Sequence, residues 1–417
     1  MTQRIDADVL VPGCGEPIAD ATVLLDGSTI TYAGPRAGAP ESPHATSYSV
    51  PAVMPGMWDC HTHLMGMLDL NFDHYPATPI VVYAARSAMD AGKALNAGVT
   101  SVREVGGLGV QLARAVDEGS VPGPHIYAAG AILSATGGHG DIHCYPVEWM
   151  NDLARRDPSF RLCDGVPECL LAVREQLRAN ARLIKICASG GVLSEVDHPV
   201  HQQFSDEELR AIVEEAARAE RVVAAHCHGK PGIVAALRAG AHTIEHGSCL
   251  DEECAVMMRD QGAVLVPTRT IVEDMLALGE KGTVPAYAMA KLRALADQHF
   301  EAIQIAIASG VTIAMGTDIG TSSAALPAHW GEHGVELTHL VKAGMSPLQA
   351  IEAATATAPS TLGPQAPKSG LLSDAYDADV IAVTTDPTRD VSVLADPVNV
   401  THVWKSGVLM KEPLTST

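Results

Sequence analysis

The chain has 417 residues, of which 47% are apolar and 18% charged. This is an ordinary globular composition, and it excludes disordered, collagen-like and coiled-coil proteins. The 28 Lys and Arg are outnumbered by 49 Asp and Glu, which gives a formal charge of −21. Such acidity argues against a nucleic-acid or anionic-membrane partner, because phosphate-rich surfaces attract Lys and Arg.

No targeting or membrane-spanning segment is recognisable in the sequence. The first residues lack a basic region followed by an apolar core, and no run of about 18 uncharged apolar residues occurs. The nine cysteines are scattered singly without a CxxC pair, which excludes zinc knuckles and thioredoxin-like motifs. Several lie in apolar runs, where a reduced thiol packs as a small hydrophobic group. We therefore expect a reducing, cytoplasmic environment.

Both ends of the chain carry short alternating apolar runs that are typical of strands. The clearest examples are residues 21–25, 28–32, 378–384 and 400–405. Because a long middle segment separates the two groups of strands, we predict one small composite β-sandwich domain, formed by residues 1–54 and 366–417.

The middle of the chain, residues 55–365, alternates short apolar runs with longer amphipathic stretches. Eight runs have the pattern of strands: 58–63, 99–105, 125–131, 183–188, 222–226, 242–246, 264–268 and 311–316. Between them, residues 205–221 begin with a Ser cap and an acidic first turn, and residues 285–309 begin with a proline. Eight parallel βα units predict an α/β fold with a closed (β/α)8 TIM-like barrel.

An open, doubly wound sheet has the same alternation and is the alternative to a barrel. Such sheets often bind phosphates through a glycine-rich loop. Residues 106–109 do not form a GxGxxG fingerprint, and the sequence contains no GxxxxGK[ST] motif. The barrel is therefore favoured.

Potential metal ligands stand at the ends of several predicted strands. His61 and His63 close the first run, and since alternate residues of a strand point to one face, both imidazoles can reach one ion. His226 ends the fifth run, His246 the sixth, and Asp318 stands at the end of the eighth. Singly, each has a structural explanation as an incidental strand histidine, a core histidine or a helix cap. In a barrel these strand ends meet at one mouth, so together they predict one metal centre.

Lys185 lies inside the fourth run, between Ile184 and Ile186. An ammonium in an apolar strand costs several kcal/mol unless it is paired or its pKa falls sharply. A neutral lysine amine can add carbon dioxide and form a carbamate, whose two oxygens can bridge two cations. Lys185 is therefore a sixth candidate ligand.

This pattern, HxH followed in strand order by Lys, His, His and Asp, resembles the amidohydrolase superfamily. The sequences of these motifs are most similar to the imidazolonepropionase-like branch of the superfamily, which includes the metal-dependent Xaa-Pro dipeptidases (prolidases). The resemblance covers nearly the whole chain. The segments that carry it are 54–63, 98–103, 136–139, 184–186, 189–191, 244–247, 266–268 and 316–318.

The resemblance implies two divalent metal ions and hydrolysis of an amide bond by a hydroxide that bridges them. His61, His63 and Asp318 would hold one ion, and His226 and His246 the other, with carboxylated Lys185 as the bridge. Nitrogen-rich ligation suits Zn²⁺, which Mn²⁺, Co²⁺ or Fe²⁺ can replace. Asp318 would also move a proton to the leaving amine.

The same resemblance points to three substrate-binding candidates. His139, in the loop after the third run, corresponds to a family histidine that hydrogen-bonds the substrate carbonyl and the developing oxyanion; alternatively it is a loop histidine beside a glycine turn. His228 stands where prolidase-like relatives carry a Tyr that binds the substrate carboxylate. Arg269 follows the seventh run and could capture a carboxylate, or it could point to solvent or pair with Glu273.

Two loops are candidate walls of the pocket. Residues 73–75 follow the first run and have only their position in favour of this role. The segment 140–165 is long and unpatterned and carries His143, Tyr145 and Trp149. Such a loop often acts as a lid or specificity element, with a surface excursion or an oligomer contact as the alternatives.

The favoured function is that of a binuclear metal hydrolase acting on a small substrate with a carboxylate, of the Xaa-Pro or N-acyl amino acid type. The alternative is a hydrolase of xenobiotic or mycotoxin amides, carbamates or arylureas. A catalytically silent binding or assembly relative is disfavoured because all six ligands are present. Members of the family are often oligomeric, so the resemblance also implies a homo-oligomer.

Overall fold

The computed structural model describes residues 2–282, 284–324, 326 and 329–413. Its strands are β1 (Thr2–Leu10), β2 (Ile18–Asp26), β3 (Thr29–Pro35), β4 (Thr46–Pro55), β5 (Met57–Met67), β6 (Val99–Glu104), β7 (His125–Ala128), β8 (Ile132–Ser134), β9 (Phe160–Leu162), β10 (Ile184–Cys187), β11 (Val223–Cys227), β12 (Thr243–His246), β13 (Val264–Val266), β14 (Thr312–Ile313), β15 (Ile319–Thr321), β16 (Val380–Val383), β17 (Val400–Lys405) and β18 (Val408–Lys411). Its α-helices are α1 (Ile80–Asn96), α2 (Gly109–Asp117), α3 (Val147–Ala154), α4 (Gly165–Arg178), α5 (Asp206–Ala217), α6 (Lys230–Ala239), α7 (Glu252–Gln261), α8 (Arg269–Glu280), α9 (Ala286–Ala308), α10 (Val335–Ala343) and α11 (Pro347–Ala354).

The two ends of the chain form one seven-stranded sheet in the order β18-β17-β16-β4-β1-β2-β3. β4 runs parallel to β1 and antiparallel to β16, so it joins the N-terminal strands to the C-terminal ones. Ile5, Leu10, Val380 and Trp404 share one buried apolar cluster on this sheet. The β-sandwich and the limits 1–54 and 366–417 stay predictions, and residues 414–417 lie outside the described ranges.

The middle of the chain forms parallel strands that alternate with helices, which confirms the predicted α/β class. The strands belong to two sheets, in the orders β14-β13-β12-β11-β10-β8-β9 and β15-β5-β6-β7. Each of the eight predicted runs contains a strand, and β8, β9 and β15 are additional strands of three residues each. The carboxyl ends of the parallel strands therefore point the same way within each sheet.

Backbone hydrogen bonds connect the two parallel sheets on both sides. The Arg182 N–H, just before β10, donates to the Ala128 carbonyl of β7 at 2.8 Å. On the other side, the Cys60 N–H of β5 donates to the carbonyl of Met315 at 2.8 Å, and the Asp318 N–H donates to the carbonyl of His61 at 2.8 Å. The segment that carries Asp318 thus lies directly beside the segment that carries the first two histidines.

The helix-start signals predicted from the sequence are present. Ser205 caps α5 with a capping box, and α9 begins directly after Pro285. The expectation of an unpatterned loop over 140–165 was wrong, because this segment contains α3 and β9. These elements have eight and three residues, which is too short for a clear hydrophobic period.

Across the part of the chain that the structure describes, every helix is too short or too polar to span a bilayer.

Candidate active site

A cleft lies at the carboxyl ends of the parallel strands, and its empty space is about 1410 Å³ when the part open to solvent is included. The six predicted ligands and two of the three predicted substrate-binding residues line it. They are His61, His63, Lys185, His226, His246, Asp318, His139 and His228. Residues spread over more than 250 positions of sequence are thus brought to one place.

His61, His63 and Asp318 form the tightest group in the cleft. Their ligand atoms all lie within 4.8 Å of one another. The Nε2 atoms of His61 and His63 are 3.6 and 3.2 Å from Asp318 Oδ1. Both imidazoles therefore direct Nε2 towards the same carboxylate oxygen, as two histidines of an HxH strand can when they share an ion.

His246 and His226 continue this row of imidazoles. The ring centroids of His61 and His246 are 4.9 Å apart, and those of His246 and His226 are 4.7 Å apart. His246 Nδ1 is 2.7 Å from Thr268 Oγ1, and His226 Nε2 is 3.1 Å from the carbonyl of Gly190. In each ring one nitrogen is held by the protein, which leaves the other for a ligand.

Three residues at these strand ends have left-handed backbone conformations. The φ angles are 67° at His246, 56° at Thr268 and 63° at Asp318. β-Branched and bulky residues rarely adopt this conformation, and such strain persists only where the surroundings enforce it. His246 and Asp318 line the cleft from these positions, and Thr268 places its hydroxyl against His246.

A buried ion pair orients His61 from behind. His61 Nδ1 is 2.7 Å from Glu245 Oε2, and Arg103 Nη2 donates to both oxygens of Glu245 at 2.7 Å. Arg103 also donates to Thr243 Oγ1 at 2.9 Å. All four side chains are at most 1% exposed. Because Glu245 accepts the Nδ1 proton of His61, the Nε2 atom of His61 is free to bind a cation, as in carboxylate–histidine–metal arrangements.

Lys185 is 2% exposed, and its Nζ has no hydrogen-bond partner among the described residues. Burial lowers the pKa of Lys185, while the nearby carboxylates of Glu245 and Asp318 oppose this effect. A neutral amine can react with carbon dioxide, whereas a protonated one cannot. An unsatisfied buried amine in the same cleft as these imidazoles is costly, and a carbamate bound to cations would remove that cost.

The imidazoles of the cleft are held mostly in the neutral form, which is the form that binds metals. Burial lowers the pKa of His61 to about 4, with a further contribution from Lys185. Burial also puts the pKa values of His226 and His246 well below the ordinary value. His63 differs, because burial lowers its pKa but the hydrogen bond and the charge of Asp318, together with the hydrogen bond to Gly106, raise it by more, so that the net shift is upward.

His139 lies in the cleft and stacks on His226, with ring centroids 4.3 Å apart. Its Nδ1 is 2.9 Å from Ser194 Oγ, and Ser194 donates its only hydrogen to Asp197. Ser194 must therefore accept the Nδ1 proton of His139. Burial lowers the pKa of His139 to about 4, so the neutral ring offers Nε2 as an acceptor. The expected donation from His139 to the carbonyl oxygen is not supported by this network.

His228 also lies in the cleft, where it stacks on His246 at 5.0 Å between centroids. Its Nδ1 is 2.7 Å from Ser248 Oγ. Burial lowers the pKa of His228 to about 3, with a contribution from His139. His228 therefore faces a substrate as a neutral imidazole.

The structure does not bring Arg269 to the cleft lining. Its guanidinium donates to Glu273 Oε1 at 2.8 and 3.0 Å, to the carbonyl of Ala296 at 2.7 Å, and contacts His299 at 3.3 Å. These contacts join α8 to α9, as the alternative pairing with Glu273 anticipates. Carboxylate capture by Arg269 is not supported by this placement.

The candidate loops contribute unequally. Asp73 and His143 line the cleft, whereas His74 is 68% exposed and Tyr75 is buried. Tyr145 donates to the Asp73 carbonyl at 2.7 Å, so the two loops are joined. Trp149 stacks on Tyr145 and is 60% exposed.

The orienting residues were not identified from the sequence. Asp59, Arg103, Glu245 and Thr268 all hold parts of the site and are fully buried. One signal was available, because charged residues in apolar strand runs require a partner. The partner itself cannot be read from spacing, since Arg103 and Glu245 are separated by 142 positions.

The donor set fits divalent cations. Three ligand atoms of His61, His63 and Asp318 cluster within 4.8 Å, two further imidazoles stand beside them, and the buried amine of Lys185 lacks a partner among the described residues. Imidazole and carboxylate are the usual ligands of Zn²⁺.

Comparison with known proteins adds the family. The model of the amidohydrolase family matches residues 52–410 of the chain. The chain belongs to this family. It is a hydrolase that acts on C–N bonds, in a family that is generally metal-dependent.

Similar proteins cover nearly the whole chain. The ochratoxinase of Aspergillus niger is 44% identical over 424 residues, which span 98% of this chain and 86% of the relative. The crystal structure of A. niger ochratoxinase superimposes with a TM-score of 0.93 over 99% of this chain and 96% of that chain. A prolidase complexed with N-methylphosphonate-L-proline is 31% identical, with a TM-score of 0.90 over 99% and 100% of the two chains.

Proposed function

We propose that this amidohydrolase cleaves the secondary amide bond of small N-acyl amino acids that carry a bulky apolar group. The observation that carries the proposal is the cleft itself, which is lined both by the polar groups described above and by a larger set of apolar side chains. The wall residues are Met65, Met67, Leu70, Phe72, Ile132, Ile142, Phe160, Val192, Leu193, Ile271, Val272, Met275, Leu292 and Leu295.

In the proposed centre, His61, His63 and Asp318 would hold one divalent ion, and His226 and His246 would hold the second. Lys185 would contribute a carbamate ligand, formed when its neutral amine adds carbon dioxide and loses a proton. Zn²⁺ suits this set. A bound pair of such ions polarises the scissile carbonyl and acidifies water.

The protein's own side chains would do the rest. The carboxylate of Asp318 takes a proton from the attacking water and passes it to the leaving amine. Several interactions keep it ionised, because the pKa of Asp318 is lowered by His61 and His63 although burial opposes this. Glu245 and Thr268 hold His61 and His246 in the orientation that this geometry requires.

His139 would select the amide. Its Nε2 is an acceptor in the neutral ring, so it can accept the N–H of a secondary amide. A prolyl amide has no N–H at the scissile bond. His228 would contact the substrate carboxylate. In the tautomer whose Nδ1 accepts from Ser248, the proton lies on Nε2 and can be donated to that carboxylate.

The acidic residues of the cleft add a further restriction. Asp69, Asp73, Asp141 and Glu195 line it and are exposed or half-buried. Their charge disfavours a second anionic group on the acyl side of the substrate. The preferred acyl group is thus neutral and apolar.

The comparisons support two substrate classes. The name of the Aspergillus relative states action on ochratoxin, and ochratoxin A is itself an amide of phenylalanine. The second candidate is an Xaa-Pro dipeptidase, which the 31% identical prolidase favours. The tautomer of His139 favours the first.

We further infer that the eight main strands close into a (β/α)8 barrel, supported by the hydrogen bonds that join β7 to the start of β10 and β5 to the Asp318 segment. A cytoplasmic location and a homo-oligomer stay predictions.

The test is a substrate screen on metal-loaded protein with bound metal quantified per chain. We expect cleavage of N-acyl-L-phenylalanines and ochratoxin A, weak cleavage of Xaa-Pro dipeptides, and loss of activity after chelation. N-methylation of the scissile amide should reduce kcat/KM strongly. Preferential cleavage of prolyl amides would reverse the order of the two candidates, and full activity without metal would exclude both.

A further inference from the structure

Two buried side chains at the start of α10 hold the backbone of the metal-ligating segments. His333 and Glu336 are both 0% exposed, and neither lines the cleft. They are three positions apart, and the Glu336 N–H donates to the His333 carbonyl at 3.3 Å. Both therefore belong to one turn, residues 333–336, which we call the α10 turn.

His333 acts on the first pair of ligand segments through Asp59. His333 Nδ1 donates to Asp59 Oδ2 at 2.7 Å. The other oxygen of Asp59 accepts from the backbone N–H of His61 at 3.0 Å and of Thr317 at 3.1 Å. Thr317 also donates its hydroxyl to Asp59 at 2.5 Å, and it directly precedes Asp318. One carboxylate thus fixes the backbone at His61 and beside Asp318.

Glu336 acts on another ligand segment. Its carboxylate accepts from the backbone N–H of Arg269 at 2.9 Å and of Thr270 at 2.7 Å, and from the Thr270 hydroxyl at 2.6 Å. These are the first residues of α8, whose N-cap Thr268 makes no capping hydrogen bond of its own. Glu336 therefore replaces the missing cap.

Because Glu336 caps α8, the Thr268 side chain can hydrogen-bond His246 instead of the helix. Thr268 has a φ of 56° and places its hydroxyl 2.7 Å from His246 Nδ1. A threonine that capped α8 itself would direct its oxygen towards the helix N–H groups instead. The strained backbone is kept in place because Glu336 holds the two residues that follow it.

The α10 turn is itself anchored to the C-terminal part of the chain. A Cβ on Gly334 would lie 1.9 Å from the carbonyl oxygen of Leu394. Only glycine permits this approach, so the turn sits directly against residues 391–395. This contact fixes the position of the α10 turn, from which His333 and Glu336 reach the segments that carry the proposed ligands.

We propose that His333 and Glu336 are positioning residues of the metal centre, one for the His61–Asp318 site and the other for the His246 site. The inference rests on the proposed binuclear centre. Neither residue contacts the substrate or an ion; each sets the backbone that presents a ligand. Loss of either should weaken one metal site more than the other.

The experiment measures metal affinity rather than activity alone. Purified full-length variants His333→Leu and Glu336→Gln are stripped and titrated with Zn²⁺ against a chromophoric chelator, and with Co²⁺ for its visible absorption. We expect each variant to lose about 10–100-fold in affinity at one of two sites, the range found for residues that orient ligands. The Co²⁺ spectra of the two variants should differ from each other.

Two further variants separate positioning from stability. His333→Asn keeps a donor near the Nδ1 position and should restore most of the affinity. Leu340→Ala, a fully buried change on the same helix, should lower Tm and leave both metal affinities unchanged. Equal metal affinities in wild type, His333→Leu and Glu336→Gln would refute the inference, as would a loss that Leu340→Ala reproduces at the same Tm. A wild-type chain that takes up no metal would instead refute the proposed function.

Discussion

Glu245 is the side chain on which the geometry of His61 depends, and it is also the partner of a fully buried arginine. Glu245→Gln removes the negative charge and leaves Arg103 uncompensated. We expect a loss of about 3–5 kcal/mol in the free energy of unfolding, because breaking a buried pair exposes the full desolvation cost of the remaining ion. Metal affinity should fall about 10–100-fold. Urea denaturation and metal titration measure the two effects.

A surface pair provides the control for Glu245. Arg155 and Asp152 form an ion pair whose side chains are 78% and 59% exposed. Asp152→Asn should change the free energy of unfolding by less than about 1 kcal/mol, since water screens such pairs. Similar losses for Asp152→Asn and Glu245→Gln would contradict the role given to burial.

Single residues show where sequence reasoning succeeds and where it stops. Five of the six ligand candidates were proposed because they stand at the ends of predicted strands, and Lys185 was proposed because an ammonium inside an apolar strand needs an explanation. Arg269 shows the limit, since its position after β13 allowed both cleft and helix contacts. Its distance to Glu273, one helical turn along, decides for the helix contact, and only the structure supplies that distance.

At the scale of elements, the loop after β10 shapes the cleft through a glycine. A Cβ on Gly191 would lie 2.1 Å from the His139 ring. Gly191→Ala should therefore displace His139 and lower kcat for secondary amides, with a smaller effect on the free energy of unfolding. Steady-state kinetics on N-acyl-L-phenylalanine measures this change.

Gly92 is the matched glycine for that test. It lies within α1, and a Cβ there would meet its nearest neighbour at an ordinary 3.8 Å. Gly92→Ala should leave kcat unchanged and stabilise the protein by about 0.5–1 kcal/mol, because alanine loses less entropy in a helix. A fall in kcat for Gly92→Ala as large as that for Gly191→Ala would rule out a specific contact with His139.

Helix α9 holds the same loop from the other side. Lys291 Nζ donates to the carbonyls of Gly191 at 3.2 Å and Ser194 at 2.7 Å. Lys291→Met should loosen the loop, which carries Val192 and Leu193 of the apolar wall, and raise KM by about tenfold, as expected for lost hydrogen bonds of an ionised group. The exposed Lys281 is the control, and Lys281→Met should leave KM unchanged.

Element prediction worked where a pattern is long enough. All eight predicted runs contain strands, and α5 and α9 begin at their predicted caps. β8, β9 and β15 have three residues each and lie outside the eight predicted runs, whereas β13 and β14 are equally short or shorter but lie within longer apolar runs. The pairing of β8, β9 and β15 depends on neighbouring strands rather than on their own sequence.

At the scale of the whole molecule, buried imidazoles make stability depend on pH. Burial lowers the pKa values of His61, His139, His299 and His339 to about 4, from an ordinary value of 6.5. The unfolded chain therefore binds more protons below pH 6.5. Their contribution is fully present above pH 6.5 and is lost as the pH falls towards 4, by about 2 kcal/mol per imidazole at pH 5.

His299 isolates this effect from the proposed metal ligands. In metal-stripped protein, His299→Gln should weaken the fall in unfolding free energy between pH 7.5 and 5. Urea midpoints at several pH values give the slopes, and identical slopes for wild type and His299→Gln would contradict the assignment.

The pairing of the two chain ends could be predicted only in part from the sequence. Alternating runs at both ends predicted that they would join, and β4 does pair with β16. The register of that pairing, with Pro55 opposite Val380, depends on contacts between segments more than 300 positions apart. No local pattern specifies it.

The left-handed strand ends at His246, Thr268 and Asp318 have a consequence for how this enzyme can evolve. Each holds a conformation that its own side chain disfavours, at a price of order 1–3 kcal/mol per residue. Replacement by glycine at these positions would relieve that penalty, but it would remove the proposed ligands His246 and Asp318 and the Thr268 hydroxyl that holds His246. Selection for thermostability alone should therefore favour variants that are more stable but inactive. A screen for stable variants must measure catalytic activity in every round.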